Sequence, residues 1–99
     1  MTTEIRTAPA LTSRDQLDIL RAELERRGWI ARLRGSTAFP TLQVCNPHDR
    51  GFHDTIVYQP LGPTRAAYCW QWGTEIAPAA HISQAADTIM HVLQGVPAR

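Results

Sequence analysis

Leu17, Leu20 and Leu24 recur at spacings of three and four, the stripe of an amphipathic helix. Ser13 followed by Gln16 has capping-box spacing, and Asp15 and Asp18 near the start oppose Arg26 and Arg27 near the end, as the helix dipole favours. Gly28 is suited to close it, so the pattern predicts a helix over 13–27. The period then changes from 3.6 to 2. Trp29, Ala31 and Leu33 alternate with Ile30, Arg32 and Arg34, a strand with its arginines outward. Gly35-Ser36-Thr37 breaks it. Pro40 leads into a second alternating run, Thr41 to Cys45, with Leu42 and Val44 on one side.

Asn46-Pro47 is a turn signal, and residues 46–53 read as a polar loop. Asp54 to Gln59 is a β-rich run stopped by Pro60-Leu61-Gly62-Pro63, and Ala66 to Trp72 forms the next strand. Ile82, Ala85, Ala86, Ile89, Val92 and Leu93 return to helical spacing within His81 to Gln94, closed by Gly95 and Pro97. Short connections between strands require antiparallel pairing. The expected fold is α+β, a two-layer sandwich of helix, four-stranded antiparallel meander and helix, with both helices on one face. Its core draws on Leu17, Leu20, Leu24, Leu33, Val44, Ile82, Ile89 and Leu93. Residues 1–11 lack periodicity and read as an N-terminal arm, and 12–96 as one domain.

The aromatic residues raise the first functional question. Tyr68, Trp70 and Trp72 fall at i, i+2 and i+4 and share one face of their strand, while Ala67, Cys69 and Gln71 share the other. Facing the helices, the aromatics are core. Facing away, they form an exposed patch that calls for a partner or a flat ligand, with Tyr58 on the neighbouring strand able to join it.

The segment Cys45-Asn46-Pro47-His48-Asp49-Arg50-Gly51-Phe52-His53-Asp54 concentrates a thiol, two imidazoles and two carboxylates. Cys45, His48 and His53 offer three ligands of the kind zinc takes, with Asp49 or Asp54 beside them. No matching second pair occurs elsewhere, and turn chemistry explains the same residues.

Composition narrows the classes. The chain is 43% hydrophobic and 19% charged, with a net charge of +1. This is globular composition. The small net charge argues against a large phosphate interface; near the strands only Arg32, Arg34 and Arg65 serve such a role. No apolar run approaches the length of a membrane span, and no leader pattern precedes the first helix. Two cysteines outside any C-x-x-C motif read as reduced thiols, so a cytoplasmic location is expected. Phosphate loops, nucleophile elbows and zincin motifs are absent, so no residue is assigned catalysis and no cofactor is implied.

Two stretches carry a resemblance: Leu42-Gln43-Val44-Cys45-Asn46-Pro47, of the form L-x-V-x-N-P, and Trp70-Gln71-Trp72-Gly73-Thr74-Glu75-Ile76, followed by Ala85-Ala86 and Ile89. Over residues 13–94 the chain resembles a group of small uncharacterised bacterial proteins. The resemblance implies the α-β-α order and no activity. The functional expectation is a non-catalytic interaction module, homodimeric through the aromatic sheet face (Tyr58, Tyr68, Trp70, Trp72) or a sheet edge. A protein binding a small apolar ligand in an aromatic-lined pocket is the alternative, and metal binding by Cys45, His48 and His53 the third.

Overall fold

The computed structural model describes residues 12–63 and 65–94. Its elements are α1 (Ser13–Arg26), β1 (Ile30–Gly35), β2 (Pro40–Asn46), β3 (Asp49–Pro60), β4 (Ala66–Trp70), β5 (Glu75–Pro78) and α2 (Ile82–Leu93). The α+β architecture is as expected, but the sheet has five strands, in the order β1-β2-β3-β4-β5 and antiparallel throughout. The additional strand is Glu75–Pro78. The run Ala66 to Trp72 breaks after Trp70, where a tight turn carries the Trp70 N–H to the Thr74 carbonyl at 2.9 Å and starts β5. The expected loop over 46–53 is also corrected. Only Pro47 and His48 form the turn, and β3 begins at Asp49. The expected arm, 1–11, and the residues after Gln94 lie outside the described residues.

α1 begins at Ser13, as expected, with its cap one residue before the one that the Ser13–Gln16 spacing implies. Thr12 is the N-cap: its hydroxyl accepts from the Asp15 N–H, and the Asp15 carboxylate accepts from the Thr12 N–H, both at 3.0 Å. The helix ends in a Schellman motif, with the Gly28 N–H on the Glu25 carbonyl (2.9 Å) and the Trp29 N–H on that of Leu24 (3.0 Å). Gly28 has φ +89°, which a side chain rarely adopts, so glycine here turns the chain directly from α1 into β1. Gly35, at φ +81°, is needed for the same reason and for a second. A Cβ there would lie 2.3 Å from the Phe39 carbonyl oxygen in the β1–β2 turn.

Both helices pack on one face of the sheet. Leu17, Leu20 and Leu24 of α1 and Ala85, Ala86, Ile89 and Leu93 of α2 are buried against Ala31, Leu42, Val44, Ile56, Tyr68 and Trp70. Of the expected core, Leu33 and Ile82 are half-buried at its margin. Among the described residues, no helix is long and apolar enough to cross a membrane.

Polar contacts tie the layers together. Arg27 reaches from the end of α1 to α2, placing its guanidinium 2.5 Å from Asp87 and 2.9 Å from the Ser83 hydroxyl. It also bonds Glu23 within α1 at 2.7 Å. The Arg26 and Arg27 guanidiniums together hold the Glu23 carboxyl down at about 2. Asn46, the one buried polar residue described, donates from its amide to the Leu93 carbonyl at 2.8 Å and accepts the His48 N–H at 2.8 Å. It therefore satisfies a carbonyl at the end of α2 and shapes the β2–β3 turn at once. Replacing it by Ala leaves both groups without their partner. Asn46→Ala is expected to lower the unfolding free energy by about 1–3 kcal/mol in urea titrations monitored by tryptophan fluorescence.

Candidate functional site

The strand register decides which side of β4 is buried. Tyr68 lies opposite Tyr58 and Ala77, and Trp70 opposite Ile56, in the rows that face the helices. Tyr68 is fully buried and Trp70 is 5% exposed. The Tyr68 ring meets Tyr58 edge to face at a centroid distance of 5.6 Å, and its hydroxyl donates to the Gln16 carbonyl of α1 at 2.9 Å. Burial, and then the neighbouring Tyr58, push the Tyr68 hydroxyl above its ordinary range. Trp72 is outside the strand, in the β4–β5 turn. It is 62% exposed and stacks on Trp70 at 5.3 Å with planes 5° apart. Of the two readings of the ladder, core describes Tyr68 and Trp70. They are not available to an exterior partner, and an interface cannot be built on them.

The face away from the helices carries the other residues of each strand. The row across its middle runs from Arg34 on β1 through Thr41, Val57 and Cys69 to Glu75 on β5, Thr41 following from the Leu42–Ile56 pairing. Ala67 and Cys69 are small and sunk between their neighbours, at 1% and 0% exposure. Burial, and then the Glu75 carboxylate, raise the Cys69 thiol. Towards the β2–β3 turn the rows are Arg32–Gln43–Thr55 and Ile30–Cys45–His53. β4 and β5 do not extend to the last of these, so the β2–β3 hairpin projects beyond them.

That projecting end holds a pocket of about 510 Å3 lined by Ile30, Arg32, Gln43, Cys45, Arg50 and His53. A bulge brings Arg50 to it: Cys45 pairs with His53, yet Asn46 pairs with Asp49, leaving Arg50, Gly51 and Phe52 as extra residues on β3. Bulges of this kind redirect side chains at the ends of sheets. Of the three expected metal ligands, Cys45 and His53 meet across the strands, whereas His48 sits in the turn and does not line the pocket. Among the described residues no three His, Cys, Asp or Glu side chains come together as metal ligands would.

Comparison with protein-family models, with curated proteins and with solved structures finds no match in any of the three. The site is therefore read from its chemistry. The arginines divide into two sets. At α1, Arg21, Arg26 and Arg27 are paired with carboxylates while Arg14 forms no salt bridge among the described residues, and Arg65 before β4 makes a long contact with Glu75. On the sheet, Arg32, Arg34 and Arg50 form no salt bridge among the described residues. Alternation in β1 already placed Arg32 and Arg34 outward. That Arg50 and Gln43 join Arg32 depends on register and the bulge, which no local pattern announces.

The two thiols differ in access, since Cys45 is half-buried at the pocket wall and Cys69 is buried. A thiolate must be reached to react. Ellman's reagent is expected to titrate one thiol rapidly in the native protein and two in guanidinium. Loss of the fast phase in Cys45→Ser, and its retention in Cys69→Ser, assigns it.

Proposed function

We propose that the chain is a non-catalytic interaction module that pairs with a second copy of itself through the face of the sheet opposite the helices. The observation that carries this reading is the middle row of that face. It has a cation at one end, Arg34, an anion at the other, Glu75, and Thr41, Val57 and Cys69 between them. Arg34 forms no salt bridge among the described residues, and the contact of Glu75 with Arg65 is long, at 3.9 Å.

Such a row is complementary to itself. A two-fold axis running along β3, between two stacked sheets, sets β1 of one copy over β5 of the other. Arg34 then meets the partner copy's glutamate, Val57 meets its own counterpart, and the shallow surface over Ala67 and Cys69 receives side chains from the facing sheet. Aligned sheets stack about 10 Å apart with a modest rotation, which this arrangement permits. Five strands at about 4.8 Å spacing and about five residues of shared length give a footprint of roughly 400 Å2 per copy, below that of stable complexes and in the range of weak, transient ones. Affinity in the micromolar range is the matching expectation.

The charge pairing gives the test. Arg34→Glu and Glu75→Arg each place like charges together twice in a two-fold dimer. Each is expected to weaken self-association in sedimentation equilibrium by at least about tenfold, and the double exchange to restore it. Circular dichroism and the urea midpoint verify the fold of each variant. Monomers at millimolar concentration, or a double exchange as weak as the singles, would overturn the reading.

A further inference from the structure

The pocket at the projecting end of the β2–β3 hairpin has a composition that the pairing of two copies does not use. Its six lining residues include no carboxylate, and among them are two guanidiniums, an imidazole and a side-chain amide. Arg21, Arg26 and Arg27 each have a carboxylate within 2.5–2.7 Å. Arg32 and Arg50 have none among the described residues, although they share one concavity. Like charges collected without a counter-charge raise the energy of the free protein. An incoming anion relieves that repulsion and gains hydrogen bonds.

We infer that this pocket binds a small molecule through an oxyanion group, a phosphate or a carboxylate. Arg32 and Arg50 supply planar forks of N–H donors that match two oxygens of either group. Gln43, between Arg32 and Thr55 in its row, adds an amide donor, and His53 adds a ring N–H. Ile30 and Cys45 form the less polar part of the wall. The volume is that of a small-molecule site. The residues all come from one chain, and the Ile30–Cys45–His53 row lies beyond β4 and β5, at the margin of the face proposed to pair, so no residue of a second copy is needed to complete the site.

The experiment is an NMR titration of the full chain with inorganic phosphate, with sodium chloride at matched ionic strength as the control. Phosphate is expected to shift the Arg32 and Arg50 Nε–H signals and the Gln43 side-chain amide along one saturable curve. Arg32→Gln and Arg50→Gln should each weaken that curve by about tenfold or more, whereas Arg34→Gln, on the same strand face but outside the pocket, leaves it unchanged. A parallel titration with citrate separates the sources: tighter phosphate marks a phosphate-bearing ligand, tighter citrate a carboxylate-bearing one, and each supports the site. Shifts equal to those with chloride, or weakening by Arg34→Gln as great as by Arg32→Gln, would reduce the effect to general surface charge and overturn the inference. The phosphate titration of Arg34→Glu separates this outcome from failure of the pairing, because that variant disrupts the proposed dimer without entering the pocket.

Discussion

Tyr68 is held to the helical layer along its whole length. Its backbone is in β4, its ring packs edge to face on Tyr58 in β3, and its hydroxyl donates to the Gln16 carbonyl of α1. A buried hydroxyl without that acceptor would carry a desolvation penalty, so the bond fixes the side of the sheet on which Tyr68 lies. Side chains on a strand alternate with a period of two, so fixing one fixes all of β4. Trp70 follows Tyr68 into the core and Cys69 and Ala67 are sent to the opposite face. Cross-strand pairing then extends the decision to Val57 on β3, to Arg32 and Arg34 on β1 and to Glu75 on β5. The surface left for function is what remains after the helices have taken the aromatic side.

Charge follows the same division. Near the helical layer, Arg21, Arg26 and Arg27 are locked into local pairs and into the bridge between α1 and α2, where geometry is short and partners are set by helical spacing. On the open face, cations and the single carboxylate of the middle row stand at opposite edges, too far apart to satisfy one another within one chain. Apart from the long Arg65–Glu75 contact, their partners there are solvent or another molecule. This asymmetry between the faces links the fold to the proposed pairing and to the proposed oxyanion site.

The two helices and four of the strands are legible because each carries a clean period over enough residues. β5 is not, because Glu75–Pro78 is four residues long and ends in proline, too short to display alternation. The β2–β3 hairpin reads as a loop over 46–53 because Asp49-Arg50-Gly51 has turn chemistry, whereas in the fold Asp49 accepts the Gly51 N–H at 3.0 Å inside a bulge. Asn46 was legible only as a turn former. Its bond to the Leu93 carbonyl joins positions 47 residues apart, beyond any local pattern. Tyr68 and Trp70 share one face as alternation places them, whereas Trp72 leaves the strand at the β4–β5 turn, and alternation alone does not say which face the helices cover. Of the candidate site residues, Cys45 and His53 do meet, because they are register partners, while His48 falls in the turn between them.

The central claim is that the helix-free face is where this protein meets its partner, and that the partner is a second copy. Isotope-filtered NMR on a mixture of labelled and unlabelled chains observes such contacts directly. The account predicts intermolecular NOEs from the Val57 methyls of one chain to Val57 and Thr41 of the other. Intermolecular NOEs confined to the outer surfaces of α1 and α2, or none at millimolar concentration, would contradict it.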